Sequence, residues 1–270
     1  MPRFAANLTM LFTECPMAER FAAAAQAGFT GVEILFPYDL PARDLSRAAL
    51  AAGLEFVLLN TPPPNWAGGP RGFAAEPGRE DRFRHDFDRA LRVAEALRAR
   101  HIHVMAGYAR GPAARATFAA NLRWAAERAP RTSLTIEPLN PHDQPGYFLA
   151  DFETAADLLA EIGAPNLGLQ FDTYHAQRIT GDALAVWRRH AALVRHVQIA
   201  DAPDRHEPMG GPVDHPAFFA ELDHAGYRGW VSAEYTPRSL TTQGLGWLPR
   251  APGRGRPDGG NLRHTVALSP

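Results

Sequence analysis

The sequence contains no lysine: all 28 of its basic residues are arginine. Schiff-base aldolase chemistry, a pyridoxal-phosphate site and the Walker A phosphate loop each require a lysine amine, so all three are excluded. Cysteine is nearly absent as well, since Cys15 is the single thiol and cannot form an internal disulfide. A chain without disulfides fits a reducing cytoplasm. No histidine is near Cys15 in the sequence, which favours a structural thiol over a nucleophile.

Long hydrophobic runs and an excess of charge of one sign are also missing. No apolar run approaches the roughly 18 residues of a membrane-spanning helix. The opening MPRFAANLTMLF is too short and too weakly basic for a signal peptide. With 28 basic and 29 acidic residues, the net charge of −1 predicts neither a nucleic-acid nor a membrane partner. We therefore expect a cytoplasmic protein that acts on a small molecule, and self-association into a homo-oligomer is left open.

Short β-like runs alternate with helical stretches along the chain, which predicts parallel βαβ units. Eight such units in 270 residues predict an α/β fold, a single (β/α)₈ TIM barrel, which needs about 250 residues. No glycine-rich fingerprint follows the first run, so a Rossmann fold and a nucleotide cofactor are disfavoured. The predicted strands are residues 3–8, 31–36, 55–60, 101–106, 133–137, 167–172, 194–200 and 230–234. The predicted helices are residues 17–27, 41–52, 79–99, 113–128, 151–162, 181–190 and 216–225.

Two stretches fall outside this regular pattern. Residues 250–270 are rich in Gly, Pro and Arg, so we expect a barrel domain over residues 1–249 followed by a flexible tail. Residues 61–78 form a Pro/Gly-rich connection after the third strand that is too long for a simple turn. Connections of this kind are often functional loops, which predicts a lid over the barrel mouth with Trp66 as its apolar, substrate-contacting residue.

The last four predicted strands share a pattern of polar residues. Each ends, or nearly ends, in a side chain suited to acid–base or metal chemistry, and each carries another polar residue two positions earlier. Residues two apart on a strand face the same side, so these strands have one polar and one apolar face. The end residues are Glu137, Asp172, Gln198 and Glu234, and the earlier ones are Thr135, Gln170, His196 and Ser232.

In a barrel the polar face should point inward, where carboxylates are costly to bury unless they are paired or bind a cation. A single Glu at a strand end is ordinarily a solvated or salt-bridged residue, but four matched positions favour a site at the C-terminal mouth. Three carboxylates and an amide oxygen form an all-oxygen ligand set, which suits Mg²⁺ or Mn²⁺ better than Zn²⁺.

Further polar residues are expected around the mouth. Asn60 follows the third strand, and His175 comes three residues after Asp172, so both are predicted to contact substrate. Arg205, in the DAPDRHEP loop, is placed to hold a substrate carboxylate bidentately, although a salt bridge that orders the loop is the alternative. His101 and His103 are interpreted as residues that fill the barrel interior.

Taken together, these segments resemble the hydroxypyruvate isomerase family among the xylose-isomerase-like barrels. The resemblance runs from Arg3 to about Trp247 and implies that Glu137, Asp172, Gln198 and Glu234 are the family's four site positions. It also implies that the two glutamates are the acid–base pair. Glutamine at position 198 is typical of this branch, whereas many sugar isomerases and epimerases carry histidine. The matching segments are RFAANLTMLF, GFTGVEILFPYDL, PGRE, IEPLN, QFDTYHAQR, HVQIAD, DRHEP and GYRGWVSAEYTP.

The resemblance implies isomerisation of hydroxypyruvate to tartronate semialdehyde through a cis-enediolate, with proton transfer between the two glutamates. It implies a divalent cation, Mg²⁺ or Mn²⁺, whose strict requirement is left open, and no nucleotide cofactor. A 2-oxo-tetronate isomerase is the first alternative, because the opening segment, HVMAG and DRHEP look like that group, whereas IEPLN and PGYFL favour hydroxypyruvate isomerase. An epimerase or dehydratase of the same fold is the second. The net charge argues against an apurinic endonuclease, and a non-catalytic binder would leave two inward glutamates without a role.

Overall fold

The computed structural model describes residues 2–63 and 71–249. Eight parallel strands form a closed barrel in the order of the chain, which confirms the predicted TIM barrel. Their bounds are β1 Arg3–Asn7, β2 Gly31–Glu33, β3 Glu55–Asn60, β4 His101–His103, β5 Ser133–Ile136, β6 Leu167–Asp172, β7 Val194–Ile199 and β8 Trp230–Ala233. No helix within the described ranges is both long enough and apolar enough to cross a membrane. Trp66 lies outside the described residues, as does the predicted tail, 250–270.

Helices surround the barrel between successive strands, and most lie within two residues of their predicted bounds. They are α1 Met17–Ala27, α2 Ala42–Ala51, α3 Glu80–Leu97, α4 Gly111–Arg128, α5 Phe152–Ile162, α6 Thr173–Thr180, α7 Ala183–His190 and α8 His215–His224. The sequence did not predict α6. Its residues are mostly weak helix formers, but the Asp172 carboxylate accepts from the Tyr174 amide and caps its start, and Gly181 in the left-handed region ends it.

The apolar face of the strands packs against the helices, as predicted. Phe171 of β6 lies 5.7 Å from the Phe218 ring of α8 and 5.5 Å from the Trp187 ring of α7. Burial of one such side chain contributes about 1.5–3 kcal/mol to stability. The polar face points inward, because His196 of β7 contacts Glu33 of β2 across the barrel at 2.9 Å. The alternation of polar and apolar residues along these strands therefore determines which side chains point into the barrel.

The ring closes where the first and last strands pair, with Arg3 opposite Trp230 and Ala6 opposite Ala233. A 3₁₀ segment, Thr241–Trp247, then brings the chain back to the first strand. The Trp247 ring lies 5.6 Å from the ring of Phe4. The described chain therefore ends beside the strand with which it begins.

Two glycines attach the segment after β3 to the end of β4. Gly72 forms an isolated antiparallel bridge with Ala106. Both Gly72 (φ +87°) and Gly107 (φ +90°) lie in the left-handed region. A Cβ at Gly72 would lie 2.2 Å from the Met105 carbonyl oxygen, and a Cβ at Gly107 would lie 2.5 Å from the Gly72 oxygen. Only glycine permits this close approach of two backbones.

Candidate active site

A cavity of about 320 Å³ opens at the C-terminal ends of the strands, where barrel active sites are found. It brings together five of the residues that the sequence predicted: Asn60, Glu137, His175, Arg205 and Glu234. Asp172 and Gln198 are fully buried just behind this lining. Asp172 contacts Arg205, and Gln198 contacts Gln170. A larger cavity of about 880 Å³ lies at the opposite end of the barrel, but arginines dominate its polar lining and it lacks the predicted site residues.

Arg205 bridges two carboxylates at the mouth. Its Nη2 lies 3.0 Å from Asp172 Oδ2 and 3.1 Å from Glu234 Oε1, and its guanidinium lies 5.2 Å from the centre of the Tyr174 ring. Burial opposes its charge, but Glu234, Asp172 and Glu137 together raise the pKa of Arg205 above its ordinary value. The salt bridge considered as an alternative for Arg205 is therefore present, while its contact with substrate stays a prediction.

Two glutamines connect Glu137 to the far side of the barrel. Gln170 Nε2 donates to Glu137 Oε2 at 2.9 Å and to Gln198 Oε1 at 2.6 Å. Gln198 Nε2 in turn donates to Glu33 Oε1 at 2.7 Å. Gln198 thus turns its amide nitrogen toward Glu33 and its amide oxygen toward the Gln170 nitrogen. The Gln198 oxygen therefore points away from Glu33 and keeps one lone pair for a further partner.

Glu33 is a site residue that the sequence analysis missed. It is fully buried, and its carboxylate also accepts from Asn7 Nδ2 at 2.8 Å and contacts His196 Nε2 at 2.9 Å. These contacts offset the cost of burying its charge. The available signal was a charged residue inside the apolar run GVEILF of the second predicted strand.

His175 is held as a neutral hydrogen-bond donor. The backbone N–H of Asn140 donates to His175 Nδ1 at 3.0 Å. Nδ1 must then carry a lone pair, so the ring proton is on Nε2, which lies 3.8 Å from Asp172 Oδ2. Burial, with help from the charge of Arg205, lowers the pKa of His175 well below its ordinary value. His175 thus lines the cavity as a neutral ring with its proton on Nε2.

The two glutamates share an environment that favours protonation. Burial raises the pKa of Glu234 to about 8, with Arg205 opposing the shift and Glu33 adding to it. Burial, followed by the charges of Glu234 and Asp172, raises the pKa of Glu137 well above its ordinary value. Burial thus favours the protonated form of both carboxyls and the Arg205 guanidinium favours the ionised form of each, and proton transfer requires one carboxyl in each form.

The donor atoms fit a divalent cation. Glu137, Asp172 and His175 offer ligand atoms that all lie within 4.8 Å of one another, and Glu137 Oε1 is buried without a hydrogen-bond partner among the described residues. Because His175 Nδ1 accepts a hydrogen bond, its Nε2 carries the proton and the ring is poorly suited to bind a metal. The remaining candidate ligands are the carboxylate oxygens of Glu137 and Asp172, the kind of ligand that Mg²⁺ and Mn²⁺ prefer. Glu234 already contacts Arg205. The four cation ligands predicted from the sequence, Glu137, Asp172, Gln198 and Glu234, therefore stay a prediction.

His103 and Arg71 also line the cavity, although the sequence analysis left both out of the site. His103 was interpreted as a residue filling the barrel, and it is almost completely buried. Its Nδ1 lies 3.2 Å from Asn60 Oδ1 and 3.5 Å from Glu137 Oε2. Burial lowers the pKa of His103 to about 3, so the ring is neutral. No simple sequence signal separates a histidine that fills a barrel from one that lines its mouth.

Comparison with known proteins gives matches over nearly the whole chain. The family model described as xylose isomerase-like TIM barrel matches residues 21–251. A 2-oxo-tetronate isomerase from Cupriavidus necator is 46% identical over 94% of this chain and 100% of its own. A hydroxypyruvate isomerase from Escherichia coli is 40% identical over 92% of this chain and 98% of its own. A crystal structure described as an AP endonuclease, family 2, from Brucella melitensis is 46% identical, with a TM-score of 0.88 over 92% of this chain and 98% of that one.

Proposed function

The chain belongs to the xylose isomerase-like TIM barrel family, and from that premise we propose that it is an intramolecular isomerase of a small hydroxy-oxo acid. One observation carries the proposal: Glu137 and Glu234 are buried, line one cavity and have raised pKa values. They follow β5 and β8, so they can approach a small substrate from different sides. Similarity to proteins named hydroxypyruvate isomerase and 2-oxo-tetronate isomerase supports the substrate class.

The proposed reaction moves hydrogen between two neighbouring carbons. With hydroxypyruvate, the ionised glutamate removes a proton from C3 to give a cis-enediolate, and the protonated one delivers a proton to C2. The C3 hydroxyl loses its proton as the aldehyde forms, and the former carbonyl oxygen at C2 gains one. The product is tartronate semialdehyde, so atoms and electrons balance without a redox cofactor.

Positive and hydrogen-bonding groups would stabilise the enediolate oxygens. His175 Nε2–H faces the cavity side of Asp172, and Arg205 lies between Asp172 and Glu234. Donors already in place at the position where charge develops lower the barrier without reorganisation. A divalent cation held by Glu137, Asp172 and the Gln198 oxygen would add positive charge next to the substrate oxygens.

A 2-oxo-tetronate is the second candidate substrate. The Cupriavidus necator relative with that name is more similar to this chain, at 46% identity, than the Escherichia coli hydroxypyruvate isomerase, at 40%. The same proton transfer serves both acids, because each has a hydroxyl carbon next to the 2-oxo group. A sugar epimerase or dehydratase is supported by fold alone, since a solved 3-keto-D-glucoside 4-epimerase is only 22% identical.

The test is an NMR assay in D₂O with hydroxypyruvate and a 2-oxo-tetronate, each with Mg²⁺, with Mn²⁺ and with EDTA. We expect the isomerised product of at least one acid, tartronate semialdehyde from hydroxypyruvate or a 3-oxo-tetronate from the 2-oxo-tetronate, with solvent deuterium at C2 where protonation takes place. Turnover of neutral ketoses alone, with neither acid converted, would overturn the proposed substrate class.

A further inference from the structure

Two guanidinium groups line the cavity, and their electrostatic surroundings differ. Arg205 already contacts two carboxylates, Asp172 and Glu234, at 3.0 and 3.1 Å. Arg71 makes no salt bridge with any acidic residue in the described ranges, 2–63 and 71–249. Among the described residues, Arg71 is therefore the cavity-lining cation that no carboxylate contacts directly, and its charge acts on Glu234 from a longer distance.

Arg71 is held at the mouth by its neighbours. Its guanidinium lies 5.8 Å from the centre of the Phe36 ring, which also lines the cavity. The next residue, Gly72, is bridged to Ala106, and the Ala75 amide donates to the Ala106 carbonyl at 2.7 Å. The backbone that carries Arg71 is thus fastened to the barrel, which reduces the entropy lost when the side chain binds a ligand.

An anionic substrate meets opposite conditions at the two arginines. A carboxylate placed on Arg205 would approach Asp172 and Glu234 and compete with both for the same guanidinium nitrogen. A carboxylate placed on Arg71 meets a guanidinium free to form two parallel charge-assisted hydrogen bonds. Arg205 then remains available for the substrate's oxo and hydroxyl oxygens.

We infer that Arg71 binds the carboxylate of the substrate and makes the site select 2-oxo acids over neutral ketoses of the same length. This inference rests on the proposed function and adds to it the residue that sets the substrate class. It reassigns the carboxylate contact that the sequence analysis gave to Arg205. It also predicts the orientation of the substrate, with C1 toward Phe36 and C2 and C3 toward the glutamates.

The experiment compares Arg71→Met, Arg71→Lys and a matched control, Arg79→Met. Arg79 is also close to an aromatic ring, 5.8 Å from the centre of Phe73, but it does not line the cavity. Each variant is assayed with hydroxypyruvate and with dihydroxyacetone, a neutral ketose of the same length. Pyruvate, which has the carboxylate but no C3 hydroxyl, serves as a probe of binding by calorimetry.

We expect Arg71→Met to raise KM for hydroxypyruvate about 10- to 100-fold with a small change in kcat. The ratio of kcat/KM for acid over ketose should fall by a similar factor. Arg71→Lys should lie between Met and wild type, because it keeps the charge and loses the planar fork. Arg79→Met should match wild type, and pyruvate binding should be lost in Arg71→Met and weakened in Arg71→Lys.

Equal losses for the acid and the ketose in Arg71→Met, or an unchanged KM for the acid, would overturn the inference. The calorimetric arm separates it from the proposed function. Pyruvate binding that depends on Arg71 supports the carboxylate site even if neither acid is isomerised. If wild-type protein binds no pyruvate and converts no acid, both ideas fail.

Discussion

Four buried carboxylates surround the site, and their partners distinguish them. Glu33 is saturated by Asn7, His196 and Gln198. Asp172 caps α6 and also contacts Arg205, and Glu234 contacts Arg205. Glu137 has one oxygen bound by Gln170 and a second, Oε1, with no hydrogen-bond partner in the described part of the chain. Glu137 therefore combines nearly complete burial with one carboxylate oxygen that no described residue contacts by a hydrogen bond.

Replacement of either glutamate by glutamine tests the proposed proton transfer. Glutamine keeps the shape and one oxygen but cannot act as a base, and general acid–base catalysis is worth about 10²–10⁴ in rate. We expect Glu137→Gln and Glu234→Gln each to lose at least that factor in kcat at saturating metal. The double variant should lose little more, because members of one relay are not additive.

Glu55→Gln is the matched control, because Glu55 pairs with Arg100 on the surface and lines only the cavity at the opposite end of the barrel. Its turnover should equal that of wild type. Near-normal kcat in either Glu137→Gln or Glu234→Gln would contradict the two-glutamate mechanism, and His175 would become the next residue to test.

At the scale of elements, the close backbone contact of Gly72 with Gly107 joins the segment after β3 to the end of β4. A substitution at this contact measures how much it contributes to stability. An alanine at Gly107 would place its Cβ 2.5 Å from the Gly72 carbonyl oxygen, at a φ of +90°. We expect Gly107→Ala to lower the free energy of unfolding by about 2–4 kcal/mol, the range for strained backbone together with a steric clash. Urea denaturation measures this change.

Gly163→Ala is the control for Gly107→Ala. Gly163 ends α5 at a φ of +64°, and a Cβ there would meet nothing within 4 Å. Gly163→Ala should lower the free energy of unfolding by about 1 kcal/mol, the cost of placing an alanine in the left-handed region. Equal losses at the two positions would show that the backbone contact with Gly72 contributes nothing beyond the φ angle.

The sequence was sufficient for all eight strands and for every helix except α6, and insufficient for some of their ends. Short β-like runs between helical stretches located all eight strands, and the last four also showed a period-2 pattern of polar and apolar residues. The predicted strands at 31–36 and 101–106 each proved three residues long, at β2 and β4. Where the backbone leaves the hydrogen-bond ladder depends on neighbouring strands, so the local sequence does not record it.

For the site, too, some residues could be predicted from the sequence and others could not. Strand-end residues such as Glu137 and Glu234 were identified because their position along the chain fixes their place at the mouth. Arg71 was not, because its place at the cavity depends on how the segment after β3 packs against the end of β4. His103 was not, because the sequence does not distinguish a strand histidine that fills the barrel from one that lines its mouth. Arg205 was placed correctly at the mouth, but its two carboxylate partners depend on the packing of a loop onto distant strands.

At the scale of the whole molecule, buried neutral histidines make stability depend on pH. Burial lowers the pKa of His215 to about 4, although Asp201 opposes the shift. Unfolded histidine titrates near 6.5, so this stability is present above pH 6.5 and is lost as the pH falls toward 4. We expect the unfolding free energy of wild type to fall relative to His215→Gln by at most about 1.4 kcal/mol per pH unit in that window.

Denaturant titrations at several pH values between 4 and 7 provide the measurement. His224→Gln, at an exposed position near the end of α8, should track wild type throughout. A difference between His215→Gln and wild type that stays constant from pH 7 to pH 4 would contradict the assignment of His215 as a histidine that is neutral in the folded protein.

The ring closure also has a consequence for gene design. Since Trp247 packs on Phe4 and β8 pairs with β1, a short linker can join residue 249 to residue 2, and the chain can be reopened elsewhere as a circular permutant. Gly163, at the end of α5 and remote from the cavity lining, is a suitable opening point. We expect this permutant to give the circular-dichroism spectrum and turnover of wild type. A permutant that fails to fold would show that the native order of βα units, beyond ring closure itself, is required for assembly.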